Sequence, residues 1–296
     1  MKIRTAGLTK YYGAIRALDA LDIEVRDGEI FGFLGPNGAG KSTAIRLLLG
    51  YLHPTAGGGE VLGRDIVKDS VEIRRRIGYL PSGIALYDTL SGLEHLDFLA
   101  RLNGRAPSKR AELCDHLELS TKTLNRLVRD YSRGMRQKIG IVQALQHDPE
   151  LAVLDEPSEG LDPLMQRAFY DILERLKREG RTIFFSSHVL SEVERICDRV
   201  AIIKDGKLVA VEEIAGLRAR RRRKVTLQVE GPPPPLASVR GVADLETRDG
   251  VVTCTVGGDI GPFLAALASV RVVDLTIEVP RLEETFLEFY GPAGPR

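Results

Sequence analysis

Cysteine is scarce in this 296-residue chain. The three present, Cys114, Cys197 and Cys254, lie far apart, form no C-x-x-C pair and have no histidine at ligand spacing. Such a set argues against a disulfide framework and a zinc site, and points to a reducing compartment. Net charge is nearly missing as well, since 42 Lys and Arg against 41 Asp and Glu give a formal +1. No global field draws nucleic acid to the surface, so any basic partner surface has to be local. Long apolar runs are lacking: none approaches the roughly 18 residues needed to cross a bilayer as a helix. The opening Met1-Lys2-Ile3-Arg4-Thr5-Ala6-Gly7 turns polar again at Thr9-Lys10, with no apolar stretch of signal-peptide length. What remains is ordinary for a soluble folded protein, with 43% hydrophobic and 28% charged residues. The length suits two domains, or one large domain with an appendage.

Period-two alternation at 3–8 and 21–25 predicts half-exposed antiparallel strands. Ile30-Phe31-Gly32-Phe33-Leu34 is apolar on both faces and belongs in a sheet interior, and 41–49 has helical composition. Between about 90 and 140 the apolar spacing changes to three and four, which predicts an insert of amphipathic helices. An α/β pattern then returns: strands at 151–154, 182–185 and 200–203, with helices at 164–177 and 189–196. Strands alternating with helices imply a largely parallel sheet covered on both faces. A boundary is expected near 217, where a basic run at 218–224 precedes Pro232-Pro233-Pro234-Pro235. Beyond lies a small α+β domain.

Gly35-Pro36-Asn37-Gly38-Ala39-Gly40-Lys41-Ser42-Thr43 fits G-x-x-x-x-G-K-[ST]. Its glycines let successive backbone N–H groups converge on a phosphate, because a Cβ would obstruct both turn and ligand. The helix that follows presents its positive dipole end to the same oxygens. Lys41 adds a point charge for the β- and γ-phosphates of ATP, and the Ser42 hydroxyl joins the shell of Mg²⁺. A Gly-rich turn before a lysine also arises by chance, but here it sits between a buried strand and a helix. Leu151-Ala152-Val153-Leu154-Asp155-Glu156 is an apolar strand ending in two carboxylates. The first suits Mg²⁺ held through water, and the second can polarise an attacking water. Ser186-Ser187-His188 ends another buried strand, where the imidazole can reach the γ-phosphate. The other four histidines, His53, His95, His116 and His147, have no such placement.

Tyr131-Ser132-Arg133-Gly134-Met135-Arg136-Gln137-Lys138 opens a helix between the phosphate loop and the acidic strand. With 35–43, 151–156, Gly160-Leu161-Asp162 and His188 in this order, the chain resembles the ATP-binding cassette (ABC) ATPases over about 1–215. It is most similar to ATP-binding subunits of bacterial exporters of drugs, lipids and similar cargo, and the end at 279–287 resembles their accessory domain. The resemblance implies a P-loop NTPase fold of α/β class with a mainly parallel core sheet, an antiparallel β subdomain, a helical subdomain at about 84–147 and a small C-terminal domain at 225–296. The stretch 216–235 is expected to be a basic, Pro-rich linker. It further implies a head-to-tail homodimer holding two ATP molecules, a separate membrane-spanning permease and a position on the cytoplasmic face of the membrane. Ser132, Arg133 and Gly134 would then face the ATP of the other subunit. Ser132 as an N-cap, with the close approach that Gly134 permits, makes an anion site without a lysine, which suits half of a shared site. Tyr12 matches the aromatic that stacks on adenine, although Tyr11 and Tyr12 equally fit surface-strand aromatics. Asp162 matches the residue linking the two sites. Glu156, Lys41 and His188 would carry hydrolysis, with Ser42 and Asp155 at the metal.

Two departures stand out. The family usually has Gln where this chain has Ser82, and a serine is too short to reach the metal without a bridging water. The signature turn ends in Met135 and has Arg133 in place of a glycine. The basic run 220–224 fits a solvated linker, contact with anionic lipid or contact with nucleic acid. Two rivals to the transport reading are a soluble mechanical ATPase acting on nucleic acid or ribosomes, and a small-molecule kinase. The first would be favoured by a second cassette, a coiled-coil insert or a strong basic charge, and the sequence has none of these. A kinase has no need of the Ser132 turn or of Glu156 beside the Mg²⁺ ligand, and no specific nucleic acid partner is expected.

Overall fold

A computed structural model describes residues 1–220 and 222–278. These fall into two compact units, Met1–Val211 and a segment that opens at Glu212. The first begins with β1 (Ile3–Tyr12), β2 (Ile15–Leu21) and β3 (Glu24–Val25). β4 (Ile30–Leu34), α1 (Lys41–Leu48), β5 (Ala56–Val61) and β6 (Arg64–Asp65) follow. β1 pairs antiparallel with β2, β3 and β5, and β5 with β6, giving a five-stranded sheet. Along its start Ile3 and Thr5 are buried while Arg4 and Ala6 are exposed, the alternation that the sequence shows.

Next come α2 (Ser70–Arg76) and β7 (Ile77–Leu80), then the helices α3 (Gly92–Asn103), α4 (Arg110–His116), α5 (Thr121–Leu124) and α6 (Arg133–Leu145). α3 starts with a capping box, in which Ser91 and Glu94 satisfy each other's backbone amides. The unit closes with β8 (Leu151–Asp155), α7 (Pro163–Arg178), β9 (Thr182–Ser187), α8 (Leu190–Ile196), β10 (Arg199–Lys204) and β11 (Lys207–Glu213). These strands form the second sheet in the order β11-β10-β4-β9-β8-β7, parallel from β10 to β7. β4, β8 and β9 are buried at every residue. Such strands read as continuous apolar runs because helices cover a parallel sheet on both faces. Phe33 and Phe184 stand with ring centroids 5.3 Å apart in a core that also takes Ile45, Leu47 and Leu48 of α1.

The second unit holds α9 (Ile214–Arg220), β12 (Arg222–Glu230), β13 (Val242–Arg248), β14 (Val251–Gly257), α10 (Gly261–Leu267) and β15 (Arg271–Glu278). Its antiparallel sheet runs β13-β14-β12-β15, with Val225, Leu227, Val252, Cys254, Phe263 and Leu267 in its core. The expected linker at 216–235 needs correction. Residues 216–220 end α9 and 222–230 form β12, where burial already alternates from Arg222 to Val229, while 231–235 with its four prolines lies outside helix and strand. The cations are built into the unit: Arg223 Nη1 donates to Gly258 O at 2.8 Å, and Arg222 lies 4.0 Å from Asp244. The described residues 222–224 of the run are therefore strand rather than solvated tether. The period-two signal starts inside it and is masked by like charge. Arg221 and the family-like end at 279–287 lie outside the described residues. All three cysteines are buried and free.

Candidate functional site

Parallel pairing decides where the chemistry gathers. β4, β9 and β8 are neighbours, so the loops leaving their C-terminal ends share one rim, the usual place for a ligand on an open α/β sheet. From β4 the chain turns through 35–40 into α1. Gly40 caps that helix with φ 102°, and a Cβ on it would lie 2.4 Å from Ala17 O, so both conformation and space demand glycine. Lys41 folds back over the loop, its Nζ donating to Gly35 O at 2.7 Å and Pro36 O at 3.2 Å. The first turn of α1 leaves amides without intrahelical partners, aimed where a phosphate would sit.

From β8 come the two carboxylates. Asp155 is 1% exposed and takes two hydroxyl bonds, from Ser42 to Oδ2 at 2.8 Å and from Ser186 to Oδ1 at 2.5 Å. Glu156 has φ 53°, a left-handed conformation uncommon outside glycine. That twist turns its side chain away from the strand direction and into the cleft. Its Oε1 lies 3.1 Å from Lys41 Nζ as an ion pair without hydrogen-bond geometry, and Oε2 meets His188 Nδ1 at 2.6 Å. Lys41, Glu156 and His188, from three adjacent strand ends, thus form one charged chain.

The surrounding cleft measures about 410 Å³. It is lined by Asn37, Gly38, Gly40, Lys41, Ser42 and Thr43 of the loop, by Glu156 and His188, and also by Ser82. Pro36 and Ala39 support the loop, with Ala39 N donating to Pro36 O at 3.1 Å. One carboxylate beside one hydroxyl is a donor set that fits Mg²⁺, which takes few protein oxygens and fills its shell from water and substrate phosphates. Among the described residues no cluster of three or more His, Cys, Asp or Glu offers a denser cage.

Ser132 caps α6, accepting from Met135 N at 3.3 Å, and is exposed. Arg133 pairs with Glu159, and a Cβ on Gly134 would stand 3.0 Å from Gly160 O. This turn packs against the loop after β8 and does not line the cleft of its own chain. Asp162 caps α7 through Leu164 N and Met165 N at 3.0 and 2.9 Å. Tyr12 does not line the cleft either. It pairs with Ile15 across the β1–β2 turn, and Ile15, Arg16 and Ala17 form that wall. Lys10 Nζ lies 5.3 Å from its ring centroid.

Several contributors were not singled out from the sequence. Ser186 and Glu159 touch the acidic residues or the signature turn. Gln137 Nε2 donates to Pro157 O at 2.6 Å, tying α6 to the loop after Glu156. Ser187 Oγ donates to the buried Glu192 at 2.7 Å behind His188. The available signal is a pair of hydroxyls directly after the apolar run Ile183-Phe184-Phe185. Burial, and then the charge of Asp155, push the Tyr79 phenol up to about 12. Tyr79 also lines a second groove of about 430 Å³ between α2 and the helical segment, with Tyr51, Arg74, Leu99 and Asn103.

Comparisons with known proteins point to one family and one fold. The family profile described as ABC transporter matches residues 18–159. The bacitracin transport ATP-binding protein BcrA of Bacillus licheniformis is 42% identical over 230 residues, covering 77% of this chain and 74% of BcrA. The uncharacterized ABC transporter ATP-binding protein YhcH of Bacillus subtilis is 35% identical over 96% of this chain and 94% of its own length. A solved dimeric structure of the cassette MJ0796, in a post-hydrolysis state with ADP and Pi, superposes with a TM-score of 0.67. That match covers 72% of this chain and 98% of the other at 24% identity, and so speaks for the fold.

Proposed function

Because the chain belongs to the ABC transporter family of ATP-binding proteins, we propose that it is the ATPase subunit of an exporter, working as a head-to-tail pair beneath a separate permease. As a member of this family it binds and hydrolyses ATP. The drug-export assignment is supported by the likeness to BcrA, whose name gives bacitracin as cargo. No described helix is long and apolar enough to cross a membrane, and a separate permease would supply the path for cargo. That subunit would hold this one at the cytoplasmic face.

One observation carries the pair arrangement. Ser132, Arg133 and Gly134 form an exposed anion-accepting helix start that takes no part in the cleft of their own chain. A second copy placed head to tail would set that start against the triphosphate held by Lys41. In the closed site Glu156 would orient or deprotonate the attacking water, and Lys41 and His188 would stabilise the charge that develops on the γ-phosphate. Ser42 and Asp155 would hold Mg²⁺, which when bound neutralises charge between the β- and γ-phosphates. Tyr12, beside the Ile15–Ala17 wall rather than in the cleft, would stack on adenine, and Asp162 would link the two sites.

The test combines two variants. Glu156→Gln with ATP should migrate as a dimer on gel filtration, and adding Ser132→Glu should return it to monomer by like-charge repulsion. A dimer that survives Ser132→Glu would overturn the shared site.

A further inference from the structure

We infer that Ser186 is a positioning residue for the metal end of this site, a role that rests on reading Asp155 as the Mg²⁺ ligand. Position 186 is the fifth of six wholly buried residues in β9, with 0% exposure. An alanine or valine would satisfy the sheet there. A hydroxyl in that place costs desolvation unless it is fully bonded. Both of its functions go to the two acidic residues. The Ser186 hydroxyl donates to Asp155 Oδ1 at 2.5 Å, and Oγ accepts from Glu156 N at 3.2 Å. The Ser186 carbonyl accepts from the same amide at 3.2 Å.

The consequence is orientational. The last torsion of an aspartate is broad, so a carboxylate bonded at one oxygen only can swing. Here both oxygens are held: Ser186 occupies Oδ1, which leaves Oδ2 facing Ser42 at 2.8 Å, where the metal shell would form. Strand alternation keeps the neighbouring hydroxyl out of this task. Ser187 faces the other side of the sheet, donating to Glu192 and accepting from Val189 N at 2.9 Å. Ser186 also anchors Glu156 at its left-handed residue, so one side chain fixes the direction of both carboxylates. Partners of metal-bound carboxylates typically change metal affinity roughly 10- to 100-fold when removed.

The experiment measures ATP affinity in EDTA and across a Mg²⁺ titration, by displacement of a fluorescent ATP analogue from the full chain. Ser186→Ala should raise the Mg²⁺ concentration for half-maximal enhancement about 10-fold while affinity in EDTA stays within about 2-fold. Ser186→Thr, which keeps the donor on a β-branched strand residue, should restore the wild-type Mg²⁺ response. If the alanine variant fails to fold by circular dichroism, Ser186→Cys, close in volume but a weak donor, takes its place with the same expectation. Asp155→Asn is the control and should abolish the Mg²⁺ enhancement. A normal Mg²⁺ response in Ser186→Ala beside a lost one in Asp155→Asn overturns the inference. An equal fall in EDTA overturns it too, since that marks general damage to the cleft. If Asp155→Asn responds normally, the metal reading fails and takes this inference with it.

Discussion

Replacing Glu156 by Gln keeps the shape of the side chain and removes one negative charge from the cleft. The geometry assigns that charge two opposing effects. As the proposed base for water it would speed hydrolysis, and as the partner of Lys41 it would compete with phosphate for the same ammonium. At 3.1 Å and an effective dielectric near 20, the attraction between the two is about 5 kcal/mol before desolvation. Side-chain exposures of 6% and 13% mean that desolvation offsets most of it. A net of about 1–2 kcal/mol is expected, or roughly 5- to 30-fold in nucleotide affinity. Loss of a positioned base should lower the hydrolysis rate about 10²- to 10⁴-fold, or roughly 3–5 kcal/mol of barrier. Equilibrium titration with ATP in EDTA measures the first effect without turnover, and phosphate release with Mg²⁺ measures the second. Slower hydrolysis with unchanged or weaker ATP binding would refute the competition. Hydrolysis within a few-fold of wild type would remove Glu156 from the chemistry.

Lys41→Ala should weaken ATP at least about 100-fold, because in the proposed site the ammonium would meet phosphate, and it ties the Gly35 and Pro36 carbonyls. Titration checks this, and an affinity close to wild type would discard the assigned role. A pH effect is expected away from the cleft. His147 is buried with Nε2 on Ile77 O, and burial holds it below its ordinary 6.5. The unfolded chain therefore binds the proton more readily, so this contribution is intact above about pH 6.5 and is lost as pH falls through the lower folded value. Melting curves from pH 7.5 to 5 should show a falling Tm, and His147→Gln should flatten that part of the profile.

Much of the fold was legible because its central strands are continuous apolar runs with chemistry at their ends. Leu151–Asp155 and Ile30–Leu34 could be placed inside a sheet from composition alone. The phosphate loop was legible because steric demand leaves few alternatives at Gly40. The small domain is legible as strands and a helix, but its first strand begins inside the basic run rather than after it. Arg222 and Arg223 begin a strand, and a charge run hides alternation when the outward positions carry the same sign as their inward neighbours. Ser186 was invisible for another reason. A hydroxyl near a strand end acquires meaning only when the register of β8 against β9 sets it beside Asp155, and pairing partners cannot be read from one strand. Arg16 and Ala17 entered the cleft in the same way, through a hairpin that folds back onto the phosphate loop.

The ladder between β8 and β9 has one more implication. Asp155 stands opposite Ser186, as Leu154 does Phe185, so the spacing of the reactive groups is metered by backbone hydrogen bonds between strands rather than by the loops. Because neighbouring residues in a strand face opposite ways, a shift of one residue would send the carboxylate to the far side of the sheet and bring Leu154 round in its place. Lengthening the chain by a single residue inside β8 should therefore silence the enzyme completely, whereas one residue added at the tip of the Arg248–Val251 turn, in the other unit, should leave turnover intact.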